Sequence, residues 1–541
     1  MSKVASYLQE HIQGEVSTDT AVLDQMSTDL SVLRIKPEMV VYPRSTSDIR
    51  KVARFSWQLA EKGHILPLTV RGDGSDTTGA AIGKGVVIAT TAHMNKLFEF
   101  DHKQKLIRVQ PGLTVKSLND ALSLHGMTIP ALPSGVGYGT VGGAIGNNAT
   151  SSLSAKYGDT REWVHQLEVV LSNGDLLQTG RLSKRELNKK KGIQGFEGQL
   201  YRDIDHLIED NKELIKANAP DGIRDNAGYC SLAKVKKKDG SFDLTPLIVG
   251  SQGTLGIVSE LIMKADFVSN KWAAGLITFG DINHARDAID QLKQYDPGIL
   301  ELFDGELFAD AAARGKKYEF YDEAEVKAVI IIGFDDFSER ARSKKLKKLN
   351  KWAAKQSHMI VTATDSDALT ILALREVTGF RVRPDKKDAS SPPLFDGVYI
   401  PWERFEDFSS AVAALAEKYH VSLPLYGRPL ENVYSTRPVL ELKKVGDKQK
   451  IFKLLDEYST LVGAHGGHLI GQDGEGRVKA RFAQKQLEDD IIAVFAEVKR
   501  IFDPFNILNP GVKQPSEIKE LVAELRSDYD IGKFADYSVY S

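Results

Sequence analysis

"VRGDGSDTTGAAIGKGVVI" spans residues 70–88, and the loop at its start, Arg71 to Gly79, decides how the rest of the chain reads. Three readings compete for it. Arg71-Gly72-Asp73 spells an adhesion tripeptide, but that needs an exposed loop on a secreted protein. The opening "MSKVASYLQEHIQGE" has no apolar h-region of a secretory signal. A nucleotide P-loop needs four residues between its first glycine and Gly-Lys, with Ser or Thr next. Here only three separate Gly79 from Gly83, and Gly85 follows Lys84. The third reading is a cofactor diphosphate, toward which glycines let backbone N–H groups converge with no side chain in the way.

A second glycine-rich segment, "PSGVGYGTVGGAIGNNA" at 133–149, can supply the other half of a long cradle. Gly137, Gly139 and Gly142 in it match G-x-G-x-x-G. That dinucleotide fingerprint must follow a strand, and Pro130 and Pro133 stand where the strand would be.

The flanking chain is α+β. Ser47 is positioned to cap a helix running to about Lys62 and stopped by Gly63. "ILPLTV", "GVVIAT" and "KLIRVQPG" read as strands, and Thr114 opens a helix that Gly126 ends. In "LEVVLSNGDLLQTG", two β-rich runs flank Asn173-Gly174, a favoured pair for a hairpin turn. Beyond about Ala265 the pattern changes. "WAAGLITFGD", "VKAVIIIGFDD" and "GVYIPWERFEDFSSAVAALAEKYH" each run from an apolar strand toward an amphipathic helix. This predicts two domains, 1–265 and 266–541, the second an antiparallel sheet covered by helices on one face. A long helix from about Gln484 to Phe502 ends at Asp503-Pro504, and no low-complexity linker separates the halves.

Composition excludes several functions. The 541 residues are 42% hydrophobic and 27% charged, in the range of soluble globular proteins. With 71 basic and 73 acidic residues there is no basic excess to bind nucleic acid, and the lysines of 344–351 read as a solvated helix face. A single cysteine, Cys230, excludes an internal disulfide and a cysteine-ligated iron–sulfur cluster. No stretch approaches a transmembrane segment. A cytoplasmic protein is expected, with docking on a membrane surface left open.

The order of the segments is more specific. "STDLSVLRIKPEMVVYPRSTSDI", the loop above, "VQPGLTVKSLNDAL", "PSGVGYGTVGGAIGNNATSSLSAKYGDTREWV", "GSQGTLGIVSE" and "RIFDPFNILNPG" follow one another with characteristic spacing. In this the chain resembles FAD-linked oxidases of the vanillyl-alcohol oxidase and p-cresol methylhydroxylase superfamily, of the D-lactate dehydrogenase and glycolate oxidase flavin-subunit type. The resemblance implies an FAD-binding domain, a cap domain, and a final segment, about 500–541, that returns to the cofactor half. It places FAD against Arg71, Gly72, Asp73, Gly74, Ser75, Asp76 and Gly79. Further contacts fall on Ser134, Thr140, Gly142, Gly143, Asn147 and Ala149, then on Gly253, Gly256, Ile257 and Val258, and last on Asn509. Ser75 aligns near the superfamily's histidine attachment point, so the FAD is expected to be held without a covalent bond. Asp73 and Asp76 depart from the pattern, since a carboxylate beside a diphosphate is repulsive unless it turns away or gains a cation.

The hydroxy-acid branch carries metal-binding histidines and a base in two segments that align with "GRPLENVYSTRP" and "GQDGEGR". Here Arg428 and Ser435 replace histidines, and Gln472 and Asp473 replace Glu and His. Arginine, serine and glutamine are poor metal ligands, so no divalent metal of that type is expected. Asp473, Tyr434, Tyr426 and Glu475 remain candidates for the base. His465 and His468 read as turn histidines. Arg375 in "LALREV" matches the family's carboxylate anchor; the alternative is an ion pair on a helix, with Asp367 or Glu376 as partner. Arg428 could fill the vacated position as a second cation. Two functions stay open: oxidation of a small hydroxylated substrate such as a 2-hydroxy acid, or a flavin-binding partner subunit that has lost the dehydrogenase reaction. Electrons would leave to oxygen, a quinone or an acceptor protein.

Overall fold

A computed structural model describes residues 3–133, 139–218, 226–356, 359–382, 384 and 388–534. The glycine loop leaves a four-stranded sheet in the order Glu15–Ser17, Met39–Tyr42, Val86–Ala89, Leu68–Arg71, whose last three strands are parallel. A parallel connection needs a crossover, and the helix Thr46–Glu61 supplies one, burying Ile49, Val52 and Ala53. Its N-cap is Ser45, two residues before the expected Ser47. The start is set instead by buried Asp48, whose carboxylate accepts the backbone N–H groups of Gln13, Gly14 and Arg44.

A five-stranded antiparallel sheet follows, in the order Leu97–Asp101, Leu106–Val109, Ile257–Lys264, Val164–Val170, Leu176–Gln178. Its hairpin closes where expected. The Gly174 N–H donates to Leu171 O and the Leu171 N–H to Asp175 O, both at 2.9 Å.

The third sheet has seven antiparallel strands: Ile360–Thr364, Ala273–Phe279, Ala328–Phe334, Ile299–Asp304, Tyr426–Arg428, Val433–Ser435, Val398–Tyr399. Helices cover both of its faces, not one. Ala273–Phe279 and Ala328–Phe334 are buried at every position, and a strand apolar on both sides must be covered on both sides. The helices Ile282–Lys293 and Glu339–Gln356 lie on the face of Ile277 and Ile330. Glu306–Ala313 and Asp365–Ala373 lie on the face of Leu276 and Ile331.

The expected helix from about Gln484 begins only at Asp489 and runs to Phe502, with a separate short helix, Ala480–Gln484, before it. The second piece packs Val494, Phe495 and Val498 into the core of the five-stranded sheet. Past it, Asn509 N–H donates to Leu68 O and Leu68 N–H to Ile507 O, both 2.7 Å, extending the first sheet. Buried Lys499 fixes the junction, donating to Thr254 O, Leu508 O and the Asp503 carboxylate.

Candidate functional site

Between the two smaller sheets and the cap lies a cleft of about 1510 Å³, its mouth included. Gly72 to Asp76 form one wall. Thr140, Gly142, Gly143, Asn147 and Ala149 form the second, and Gly253, Gly256 and Val258 the third. The cap contributes Arg428, Gln472 and Asp473.

Four other expected cofactor residues lie behind this surface. Arg71 is buried beneath the loop, donating to Ala81 O at 3.2 Å. Burial pulls its pKa down, and Asp29, Asp73 and Asp76 oppose that. Gly74 lies directly over its guanidinium at φ +86°, where a Cβ would collide with it. Gly79 abuts Leu33, and Ile257 is in the core of the first sheet. Asn509 is a strut, its amide donating to Ala80 O at 2.9 Å and Gln252 O at 2.8 Å. Ser134 lies outside the described residues.

Asp76 answers the question its charge raised. One of its oxygens accepts the N–H groups of Thr78 and Ala80 at 2.9 and 2.8 Å, and the other accepts Asn147 Nδ2 at 3.2 Å. Both carboxylate oxygens are hydrogen-bonded, one within the loop and one to Asn147 of the second wall, while Asp76 itself stays in the cleft lining.

The glycines separate by role. Gly142 permits contact between protein segments, since a Cβ there would lie 2.6 Å from Pro111 Cβ. Among the described residues, apart from chain neighbours, a Cβ on Gly139 would meet no heavy atom within 4 Å, and one on Gly146 would meet, outside its own helix, Gln252 Cα at 3.9 Å. These two also line the cleft. They keep backbone open to a ligand where packing does not demand it, which suits an extended anionic cofactor.

The loop of Gln472 and Asp473 is bolted to the cofactor half. Gly476 N–H donates to Gln252 Oε1 and Arg477 N–H to Thr78 O, both at 2.9 Å. Gln252 in turn donates to Asn147 Oδ1 at 3.0 Å. Sequence reasoning did not single out Gln252, although it stands in the quoted "GSQGTLGIVSE". Asp473 has φ +55°. Burial first, and the charge of Asp76 second, push its carboxyl up to about 6; Lys479 and Arg428 act the other way.

The remaining candidates for the base do not reach the cleft walls. Tyr434 points into the cap core with its ring 4.5 Å from that of Phe405, and burial raises its pKa well above 10. Its assignment beside the reacting centre is therefore corrected. In the strand Val433–Ser435 alternate residues face opposite sides, and Tyr434 takes the side of Ile277, Ile330 and Phe405, away from the cleft. Tyr426 is in the core of the opposite face, and Glu475 is buried with an oxygen accepting the Gly228 N–H at 3.1 Å.

Arg428 lines the cleft but is well engaged. It donates to Ser151 O (2.7 Å), Thr150 Oγ1 (2.9 Å) and Gln472 Oε1 (2.7 Å), and its Nε lies 3.4 Å from buried Glu431. Arg375 stands one residue back from the walls. It donates to Leu372 O at 2.8 Å and to the cleft residue Ser152 at 2.5 Å. Its ion partner is Glu301 at 3.9 Å, rather than Asp367 or Glu376. His465 Nδ1 donates to Leu461 O one turn back, and His468 pairs through its backbone with Tyr399. Among the described residues no group of three or more His, Cys, Asp or Glu is placed to hold a metal.

A long glycine-walled cleft between a partly parallel sheet and an antiparallel cap defines a two-domain protein built around a dinucleotide cofactor. The chain belongs to the FAD-linked oxidases: residues 37–180 match the FAD binding domain, and residues 270–512 match the C-terminal domain of FAD linked oxidases. It is 25% identical over 521 residues to the D-2-hydroxyglutarate dehydrogenase of Pseudomonas putida, covering 92% of this chain and 50% of that protein. The chain thus spans about half the length of that relative. It is 26% identical over 499 residues to the glycolate oxidase subunit GlcD of Bacillus subtilis, covering 90% and 91%. Among solved structures, the 4-ethylphenol oxidase of Gulosibacter chungangensis superposes with a TM-score of 0.67 at 16% identity, over 95% of this chain and 97% of that one.

Proposed function

We propose that this chain is an FAD-dependent oxidoreductase that oxidises a small 2-hydroxy acid of the D-lactate or glycolate kind, with Asp473 taking the hydroxyl proton. The observation that carries this reading is the carboxyl of Asp473. Of the four candidate bases it alone lines the cleft, and it is held near 6, so it is mostly ionised at neutral pH yet basic enough to accept a proton. Loop 72–76, segment 139–149 and residues 253–258 would hold FAD without a covalent bond, and FAD when bound supplies the hydride acceptor. Arg375 would anchor the substrate carboxylate with the Nη edge that now holds Ser152, and Arg428 would keep the cap seated on Thr150 and Ser151. The names of the relatives, a D-2-hydroxyglutarate dehydrogenase and a glycolate oxidase subunit, support the substrate class.

One observation favours the second reading, a flavin-binding partner subunit without dehydrogenase chemistry. Arg428 stands in place of a metal-binding histidine and spends its donors on protein. Anaerobic mixing of FAD-loaded protein with lactate, glycolate, malate and 2-hydroxyglutarate separates the two. Bleaching of the flavin band by any of them supports the enzyme; no bleaching by the whole panel refutes it in favour of the subunit. The acceptor is proposed to be oxygen, a quinone or an electron-transfer protein. Cytoplasmic placement is likewise proposed; among the described residues no helix is long and apolar enough to cross a membrane.

A further inference from the structure

Glu301 lies in the middle of the cap sheet, fully buried, and neither carboxylate oxygen has a hydrogen-bond partner among the described residues. Buried carboxylates are normally hydrogen-bonded or paired. The charge near it is Arg375, whose Nε is 3.9 Å from Glu301 Oε2. Alternation along Ile299–Asp304 places Glu301 with Ile299 and Phe303, on the face that packs Leu372, Tyr426 and Leu153. Leu153 follows the cleft residue Ser152, so this face looks toward the cofactor half. Leu302 pairs with Gly427 and Phe303 with Tyr426; one further step of that ladder sets Glu301 across from Arg428.

Arg375 is therefore fixed along one side. Its Nε donates to Leu372 O and faces Glu301, and its Nη1 donates to Ser152 Oγ. Among the described residues its Nη2 makes no hydrogen bond, and the Ser152 hydroxyl is the only cleft group it holds. A free carboxylate outcompetes a hydroxyl for a guanidinium edge, because the bond is charge-assisted and bidentate.

We propose that Glu301 is a positioning residue for substrate binding. Its buried charge holds the Nε side of Arg375, so that the Nη edge is presented at Ser152, where the carboxylate of a 2-hydroxy acid exchanges with the serine hydroxyl. The proposal rests on the hydroxy-acid reading above. It makes carboxylate affinity depend on a residue that touches neither substrate nor cofactor.

Flavin spectral titration with lactate, glycolate, malate and 2-hydroxyglutarate tests it on FAD-loaded protein. Glu301→Gln keeps shape and removes charge. It is expected to raise the dissociation constant by roughly tenfold, as for coupled residues in one network, with FAD content unchanged and KM affected more than kcat. Glu301→Asp, which keeps the charge at shorter reach, falls between the two. In an Arg375→Ala background, Glu301→Gln has no further effect. Glu301→Met, which needs no hydrogen bond, carries the same comparison if the glutamine variant does not retain FAD. Wild-type affinity in the Gln or Met variant, or losses that add to those of Arg375→Ala, overturn the proposal and leave the hydroxy-acid reading standing. If wild type binds none of the acids, the hydroxy-acid reading falls, and this inference with it.

Discussion

Replacing Asp473 with asparagine tests the proposed base and its environment together. Moving an aspartate carboxyl from its ordinary 3.8 to about 6 disfavours the ionised folded form by about 3 kcal/mol. At pH values below 3.8, folded and unfolded chains both hold the proton and the side chain carries no penalty. Between 3.8 and about 6 the unfolded chain releases its proton first, so stability falls as pH rises; above about 6 the loss is complete. An asparagine side chain has no proton to lose over this range. The Asp473→Asn variant is therefore expected to be more stable than wild type at pH 8 by up to about 3 kcal/mol, a gap that closes as the pH is lowered toward 4. Urea unfolding followed by tryptophan fluorescence across that range measures it. Activity moves the opposite way. Wild-type kcat/KM should rise with pH through about 6, and Asp473→Asn should lose roughly 10²–10⁴-fold with that limb abolished. Equal stability at pH 4 and pH 8 would refute the claim that burial strains this carboxylate. Retained activity with an unchanged pH profile would refute its role as base.

Three further outcomes follow from the geometry. Arg375→Ala should weaken carboxylate binding by roughly ten- to a hundredfold while FAD stays bound; if affinity is unchanged by flavin titration, the arginine only braces Ser152. Acid precipitation should release the FAD into the supernatant, because the loop offers Ser75 and no histidine; colour that stays in the pellet contradicts non-covalent binding. Gly142→Ala would set a Cβ 2.6 Å from Pro111 Cβ and 2.9 Å from Pro111 O. Overpacking of this kind costs about 1–3 kcal/mol, so FAD occupancy and thermal stability should both fall, and wild-type values of both count against the packing account.

Much of the cleft was legible because its walls are made of backbone. A chain that must approach a ligand or another segment closely has few residues to choose from, so Gly72, Gly74, Gly142 and Gly143 announce themselves. Side-chain direction is less legible. Tyr434 and Asp473 were equal candidates in sequence, yet one points into a core and the other into the cleft, and that is settled by the facing of a three-residue strand and a tight loop. The charge of Asp76 was visible, but not the amides of Thr78 and Ala80 that satisfy it. The second covered face of the cap was written in unbroken apolar runs such as "AVIII", which alternate with nothing polar. Glu301 left no signal, because its ionic partner Arg375 is distant in the chain.

The strut of Asn509 has a consequence for how the molecule is made. Thr69, at the root of the glycine loop, donates to an Asn509 oxygen across a separation of 440 residues. Synthesis at 5–20 residues per second puts roughly 20–90 s between the two positions. During that interval the cofactor loop exists without its brace, and the edge of the Leu68–Arg71 strand has not met Ile507 and Asn509. An open strand edge is a template for wrong pairing. Bracing of the glycine loop is thus a late event in this chain, and a nascent protein stalled before residue 509 presents that loop unbraced, with a bare strand edge beside it.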